Sequence, residues 1–358
     1  MGCTSRFADK LSTLLFLCVK REAISNIFGV DIEKEVYMPV PASRVTEKVK
    51  NGEDTERVPV DFFVEGMFYV LGADENFVYN SAYKDILRNT PGCIPYIKGV
   101  IYKIIKEKNY VDAYIITKGL SLIEETTEVC DKLLLLVENL RVTNTEFEEE
   151  EIALIERFKN IEGYAIPYLY EAIIKREKGD YDSALFSINN YFTRGGESTP
   201  EAIDLRIGVK IDLDYKNGKD LVSEQPAEAL KLLLPLLEDI KEDAVIYYYI
   251  AIAYRNLDNY EKAIYYLNEA MMIDDAMPEV VNEMGINYAC LGDYESAVAY
   301  LRKAFEATKA IEICTNIIMC YINLKNLEQA RLHLEIAKKI DAKDEIVSQL
   351  ELLLRGEK

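Results

Sequence analysis

The chain offers little to catalyse with. Its single histidine, His333, leaves Ser–His and Cys–His nucleophile pairs only one candidate base. Seven cysteines stand at positions 3, 18, 93, 130, 290, 314 and 320, an odd number with no C-x-x-C spacing. They read as small buried thiols in a reducing compartment, which points to the cytoplasm. No G-x-x-x-x-G-K-[ST] loop and no G-x-G-x-x-G turn is present to cradle a nucleotide. The densest carboxylate run, Glu148–Glu151, follows Asn144 and Thr145, either of which can cap a helix. Carboxylates in a first helical turn are favoured by the helix dipole, so a helix start is expected there, not a cation or basic-peptide site. The remaining acids are spread at spacings suited to solvation and i,i+4 pairing with lysine. The expectation is a protein that is not an enzyme, with no catalytic residues, no metal and no cofactor.

The elements that would position any site must come from 358 residues, enough for two domains or one elongated array. Hydrophobic residues make up 49% and charged residues 29%, the balance of a folded chain. The 62 acidic against 42 basic residues give a net charge of -20, which repels phosphate backbones and anionic lipid. Nucleic acid is therefore not an expected partner, nor is a membrane surface; a basic partner is compatible with the charge. The abundance of Ile, Lys, Glu, Tyr and Asn has a bacterial character. Leu11–Val19 is apolar after Arg6 and Lys10, yet Lys20 and Arg21 follow at once and no cleavage site is seen. Leu15-Phe16-Leu17-Cys18 lacks the small residues of a lipoprotein signal. Met1–Arg6 lacks the Ser or Thr of a myristoylation pattern. An amphipathic helix is predicted for the segment, continuing to about Ile27. Nothing approaches the roughly 20 apolar residues of a membrane span, so no membrane insertion is expected.

Self-similarity organises the C-terminal half. Ala263, Ala297 and Ala330 are separated by 34 and then 33 residues, as are Leu267, Leu301 and Leu334, and Ala270, Ala304 and Ala337. Ala251, Gly285 and Ile318 hold the same relation, and so do Tyr254, Tyr288 and Tyr321. The segment between the helices recurs as Leu257-Asp258-Asn259-Tyr260, Leu291-Gly292-Asp293-Tyr294 and Leu324-Lys325-Asn326-Leu327. Within each unit apolar residues recur at three and four, which predicts two amphipathic helices. Small residues let the two axes approach, and residues such as Leu267 and Tyr254 fill the space beside them. Gly292 suits a helix C-terminus, and Pro278 stands where a helix pair should begin.

This order of small residue, Tyr, Gly-Asp-Tyr turn, Ala, Leu and Ala resembles the tetratricopeptide repeat over Ala244–Lys343, with units starting near 244, 278 and 311. The family's Trp at the fourth position is replaced by Tyr247, Val281 and Cys314. The resemblance implies an all-α fold, a right-handed α-α superhelix with an atypical N-terminal segment, closed by a capping helix at Asp344–Leu354. It also turns His333 outward, as a surface residue. Weaker copies lie upstream. Tyr168–Phe192 carries Ala172, Lys178-Gly179-Asp180-Tyr181, Ala184 and Ile188, with Glu171 and Lys175 where apolar residues are expected. Ala202–Glu238 fits if a loop near Asp214–Pro226 is inserted between its helices, and Ile97–Leu120 carries Lys108-Asn109-Tyr110 and Ala113. Leu133–Phe158 is helical but cannot be placed in register. Three regions result: 1–60, a helix plus an irregular or hairpin-like segment with Pro39, Pro41 and Pro59; 61–163, degenerate helical repeats; and 164–358, repeats with a capping helix.

The resemblance further implies that the first helix of each unit lines a concave groove through its second, fifth, ninth, twelfth and thirteenth positions. These are Val245, Tyr248, Ile252, Arg255 and Asn256; Glu279, Asn282, Ile286, Ala289 and Cys290; and Glu312, Thr315, Met319, Ile322 and Asn323. No lysine stands in this row, which argues against the carboxylate clamp of chaperone-tail binders. Apolar and amide side chains suit the backbone and side chains of an extended peptide. The expected function is a protein- or peptide-binding adaptor or scaffold. The alternative is a peptide-sensing regulatory protein that acts on another protein. The groove's apolar residues are open to a partner, or are covered by the N-terminal segment or by self-association.

Overall fold

The computed structural model describes residues 7–32, 34–53 and 57–356. Met1–Arg6, the segment tested for a lipidation pattern, lies outside the described residues, and so does Cys3. Contacts divide the chain into two compact units, residues 1–206 and 207–358.

The first unit opens with a 3₁₀ turn at Ala8–Thr13 and a strand, β1, at Leu14–Val19. Helix α1 (Arg21–Phe28), strand β2 (Val36–Pro41) and helix α2 (Ala42–Lys50) follow. The two strands pair antiparallel, from Leu14 opposite Pro41 to Val19 opposite Val36. The amphipathic helix expected over Leu11–Val19 is therefore mostly a strand, and a helix resumes only at Arg21. Six consecutive apolar residues carry neither a helical nor an alternating period, so their state is settled by the partner strand and not locally. Within Gly29–Val60, read as irregular or hairpin-like, β2 pairs with β1 upstream of the segment and the residues after it coil into α2.

Helix α3 (Val60–Ala73) is the centre of this unit, with every residue from Phe62 to Ala73 buried. A sequence apolar on all sides has no face to give to water. Helices α4 (Asn80–Arg88), α5 (Cys93–Lys106) and α6 (Tyr110–Ser121) follow it. Helices α3 and α6 meet backbone to backbone. A methyl group on Gly72 would stand 1.7 Å from the Ile115 carbonyl oxygen, and one on Gly119 would stand 1.9 Å from that of Phe68. No residue larger than glycine fits at this crossing. Helices α7 (Thr127–Thr143), α8 (Glu148–Phe158), α9 (Ile166–Glu177) and α10 (Tyr181–Thr193) complete the unit, and one apolar core extends from Phe7 to Ile174.

Helix α11 (Pro200–Leu221) begins in the first unit and ends in the second. The loop expected near Asp214–Pro226 is mostly helix: α11 carries on to Leu221, and α12 (Pro226–Leu236) starts after four residues. Tyr215 packs with Val222 and the α12 core, which holds the added turns in helical form. Three helix pairs follow, α13 (Ala244–Asn256) with α14 (Tyr260–Ile273), α15 (Pro278–Cys290) with α16 (Tyr294–Thr308), and α17 (Ile311–Asn323) with α18 (Leu327–Ile340). Helix α19 (Glu345–Gly356) covers the last pair through Val347, Leu350 and Leu354. The periodic alanines at 251, 263, 270, 297, 304, 330 and 337 are all buried.

One turn design joins the helices in five places. Lys108, Gly179, Asp258, Gly292 and Lys325 all take positive φ, between 57° and 81°. Each is followed by an Asx residue that caps the next helix by accepting the amide three residues on, at 3.3 Å for Asn109 and Asp180, 3.2 Å for Asn259 and Asn326, and 3.1 Å for Asp293. The amide of that Asx residue donates back to the carbonyl five residues earlier, as from Asn259 to Tyr254 at 2.9 Å. A left-handed C-terminal cap and an Asx N-cap are thus fused. Both the Ile97–Leu120 and Tyr168–Phe192 pairs share the turn.

The acidic run begins α8, as expected, but it is not simply solvated. Asn144 caps the short 3₁₀ turn Thr145–Phe147 ahead of it. Glu148 pairs with Lys178 at 2.6 Å and Glu150 with Lys118, while Glu151 is wholly buried. Glu151 stands 2.8 Å from Arg141, whose guanidinium also meets Glu138 at 2.8 Å and Glu177 at 2.6 Å. In the α9–α10 pair, Glu171 accepts from the Ser187 hydroxyl and from Lys159 and Lys175, so the polar residues at apolar columns satisfy one another.

Burial and the nearby Glu138 carboxylate push Glu151 up from 4.5 to about 8, against the pull of Arg141. The folded chain then holds a proton that the unfolded chain releases, so this group's stabilisation is present below about pH 4.5 and is lost as pH rises through 8. Unfolding by urea at pH 6 and pH 9 should show that Glu151→Gln removes about 1–3 kcal/mol of that pH dependence. Parallel profiles for variant and wild type would refute it. In the last turn, Lys325→Gly should raise stability by about 1 kcal/mol and Asn326→Ala lower it by a similar amount. Urea titration at neutral pH checks both, and no change in either would remove the turn's claimed role.

Candidate partner-binding surface

In the second unit, consecutive first helices touch, α13 with α15 and α15 with α17, whereas α14, α16 and α18 contact one another less. The three first helices therefore lie side by side on one side of the repeats. Together they present a surface made from one face of each of three helices.

On α13, Val245, Tyr248, Ile252, Arg255 and Asn256 are half-buried. On α15, Glu279 and Cys290 are exposed and Asn282, Ile286 and Ala289 half-buried, while Val280, Val281, Glu283, Met284, Gly285 and Asn287 are buried. Apart from Tyr288, the accessible positions between Glu279 and Cys290 are thus those expected. On α17, Glu312, Met319 and Asn323 are exposed and Ile322 half-buried. Thr315 departs from the expectation. It is 4% exposed, and its short side chain turns its hydroxyl back to the Glu312 carbonyl at 2.8 Å.

Two of the amides are already engaged. Asn256 donates to the Val222 carbonyl at 2.8 Å, tying the repeat to the preceding loop, and Asn323 donates to Met319 of its own helix at 2.9 Å. The Oδ1 of Asn282 is buried without a partner. Arg255 forms an ion pair at 2.8 Å with Glu283 across α13 and α15. Burial pushes the Glu283 carboxyl up, and Arg255 opposes the shift. Burial and Glu283 together push the Tyr248 hydroxyl up to about 12. Glu283 was not expected at the surface. Its signal was an acid flanked by Val280, Val281, Met284 and Ile286 in the middle of its helix, where a buried charge needs a partner.

His333 is a correction. Expected as an outward surface residue, it is buried, with its ring 5.1 Å from that of Tyr321 and its Nδ1 2.9 Å from the Gln329 carbonyl. It completes an aromatic column. Tyr254 stacks on Tyr266 and Tyr288 on Tyr300, each at 5.4 Å, and the three pairs join the two helices of their repeats. Positions 266, 300 and 333 follow the same spacing of 34 and 33 as the alanines, so the column was available in the sequence. The thiols are also less uniform than expected. Cys93, Cys130, Cys314 and Cys320 are buried, but Cys18 and Cys290 are exposed. Desolvation pushes Cys93, Cys130, Cys290, Cys314 and Cys320 upward, away from the thiolate that nucleophilic chemistry needs.

Among the described residues, no group of three or more His, Cys, Asp or Glu is arranged to hold a metal ion. No described helix is long and apolar enough to cross a membrane.

The family model of the tetratricopeptide repeat matches residues 244–276 and 279–310, and the chain is a protein that carries these repeats. No curated protein matches the sequence. Among solved structures the chain is similar to MamA, at 19% identity over 50% of this chain and 92% of that one, with a TM-score of 0.39. It is similar to YrrB, described as a TPR protein with an unusual peptide-binding site, at 19% identity over 55% and 96%, with a TM-score of 0.41. It is also similar to the Cut9–Hcn1 hetero-tetramer of the APC/C, at 13% identity over 82% and 62%, with a TM-score of 0.38. With all three TM-scores below 0.5, the assignment rests on the repeat itself and its match to the family model.

Arg255→Ala should leave the Glu283 carboxyl buried and unpaired and lower stability by about 1–3 kcal/mol. Adding Glu283→Gln should restore most of it. Denaturant unfolding of the three proteins checks this, and an equal loss in both variants would assign the effect to packing of the arginine stem.

Proposed function

We propose that this chain is a non-catalytic adaptor or scaffold of the cytoplasm, which holds an extended segment of a protein partner along the first helices of residues 244–343. The observation that carries this is the apolar column Ile252, Ile286 and Met319. One such residue stands at the same position of each repeat, half-buried or exposed on the side that the first helices share. A hydrophobic row at regular spacing with polar neighbours suits the side chains of an extended peptide, and its edges suit the peptide backbone. The repeats supply that row without any group placed for catalysis. The thiols of Cys290, Cys314 and Cys320 are pushed up by burial, the only histidine is packed against Tyr321, and Glu283 is held by Arg255.

Affinity capture from native cytoplasm, with the wild type and with Ile252→Glu/Ile286→Glu, tests this. The double variant should remain folded by circular dichroism and lose a partner that the wild type retains. Equal capture by both would move the binding surface away from these helices.

A further inference from the structure

The first helices of the three repeats are nearly bare of charge. Helices α13, α15 and α17 hold Arg255, Glu279, Glu283 and Glu312 and no lysine, whereas Lys262, Arg302, Lys303, Arg331, Lys338 and Lys339 all stand on the second helices. Arg255, the one cation, is taken by Glu283 at 2.8 Å. Glu279 and Glu312 remain. They occupy the same column one repeat apart, both are exposed, and neither forms an ion pair among the described residues. One turn along from Glu279, Asn282 buries an Oδ1 that has no donor. The first-helix side therefore offers acceptors, carboxylates and an apolar column, and no free cation.

We infer that the segment held there is a cationic peptide, with apolar side chains over Ile252, Ile286 and Met319 and lysine or arginine side chains on Glu279 and Glu312. This rests on the groove function proposed above and names its partner. Helices in contact lie about 8–10 Å apart, and an extended chain advances about 3.3 Å per residue, so the two cations would stand about two to three residues apart. A second copy of this chain is disfavoured as occupant, because it brings a net charge of -20 to an acidic face.

The test uses the full chain and three labelled twelve-residue peptides followed by fluorescence anisotropy. One carries two lysines three residues apart among leucine and alanine; in the others those lysines are glutamine or glutamate. The lysine peptide should bind best, weaken with added salt, and lose roughly 3–10-fold in affinity for Glu279→Gln/Glu312→Gln. The glutamine peptide should not distinguish that variant from wild type. Glu295→Gln/Glu328→Gln, on the second helices, should leave the lysine peptide's affinity unchanged. An equal loss with this control would mean attraction by bulk charge and would overturn the inference. Equal binding of all three peptides, all abolished by Ile286→Glu, would overturn the cationic preference and leave the groove standing. Binding indifferent to Ile286→Glu, or absent for every peptide, would overturn the groove with it.

Discussion

The repeats depend on how closely two helix axes can approach before backbone groups are left unpaired. Small residues set the approach, and the fused turn makes it possible. In the turn, one residue accepts a left-handed conformation so that the chain can reverse within four residues, and the Asx residue after it caps the next helix. Glycine takes this conformation freely at 179 and 292, while Lys108, Asp258 and Lys325 take it at a cost of about 1 kcal/mol each. Three non-glycine residues held this way show that the packing of the two helices outweighs local strain. The tyrosine that stacks on the second helix also lends its carbonyl to the turn, so ring packing and backbone closure meet at Tyr254, Tyr288 and Tyr321.

The first unit meets the same constraint with different means. Its central helix is buried on all sides, and its contact with α6 is made through two glycines where no side chain can stand. Helices this close exclude water, so every charge among them must be answered by protein. Glu65 of α3 is met by Arg44 at 3.2 Å and by the Tyr96 hydroxyl at 3.3 Å. Around Arg141, three carboxylates compete for one guanidinium, and one of them sits where desolvation favours its protonated form. Such arrangements add little net stability, and removing one partner leaves another charge stranded.

The first-helix surface of the second unit combines the two themes. The periodic small residues are buried and belong to the fold, whereas the columns at Val245, Ile252 and Asn256 and their counterparts vary in residue type and are at least partly open to solvent. The variation is not random in charge. The one buried acid is matched by the one arginine of the first helices, and the other helical cations of the three repeats stand on the second helices. On the binding role proposed above, a surface with that division discriminates between partners by sign as well as by shape.

The sequence by itself determined the repeat. Its period, the pairing of helices, the turn and the buried alanines recur at 34 and 33 residues, and each is a local or next-neighbour property that one repeat encodes in its own residues. The period alone did not name the groove columns of the first helices; those came from the resemblance to the repeat family. Tertiary structure decided what periodicity cannot carry. Leu14–Val19 is apolar throughout and becomes a strand only because Val36–Pro41 lies beside it. The residues after Asp214 stay helical because Tyr215 finds a core to join. His333 turns inward because Tyr321 offers it a ring, and Glu283 is tolerated because Arg255 reaches it from the neighbouring repeat. In each case the deciding energy comes from a residue distant in sequence, and a pattern read along the chain does not contain it.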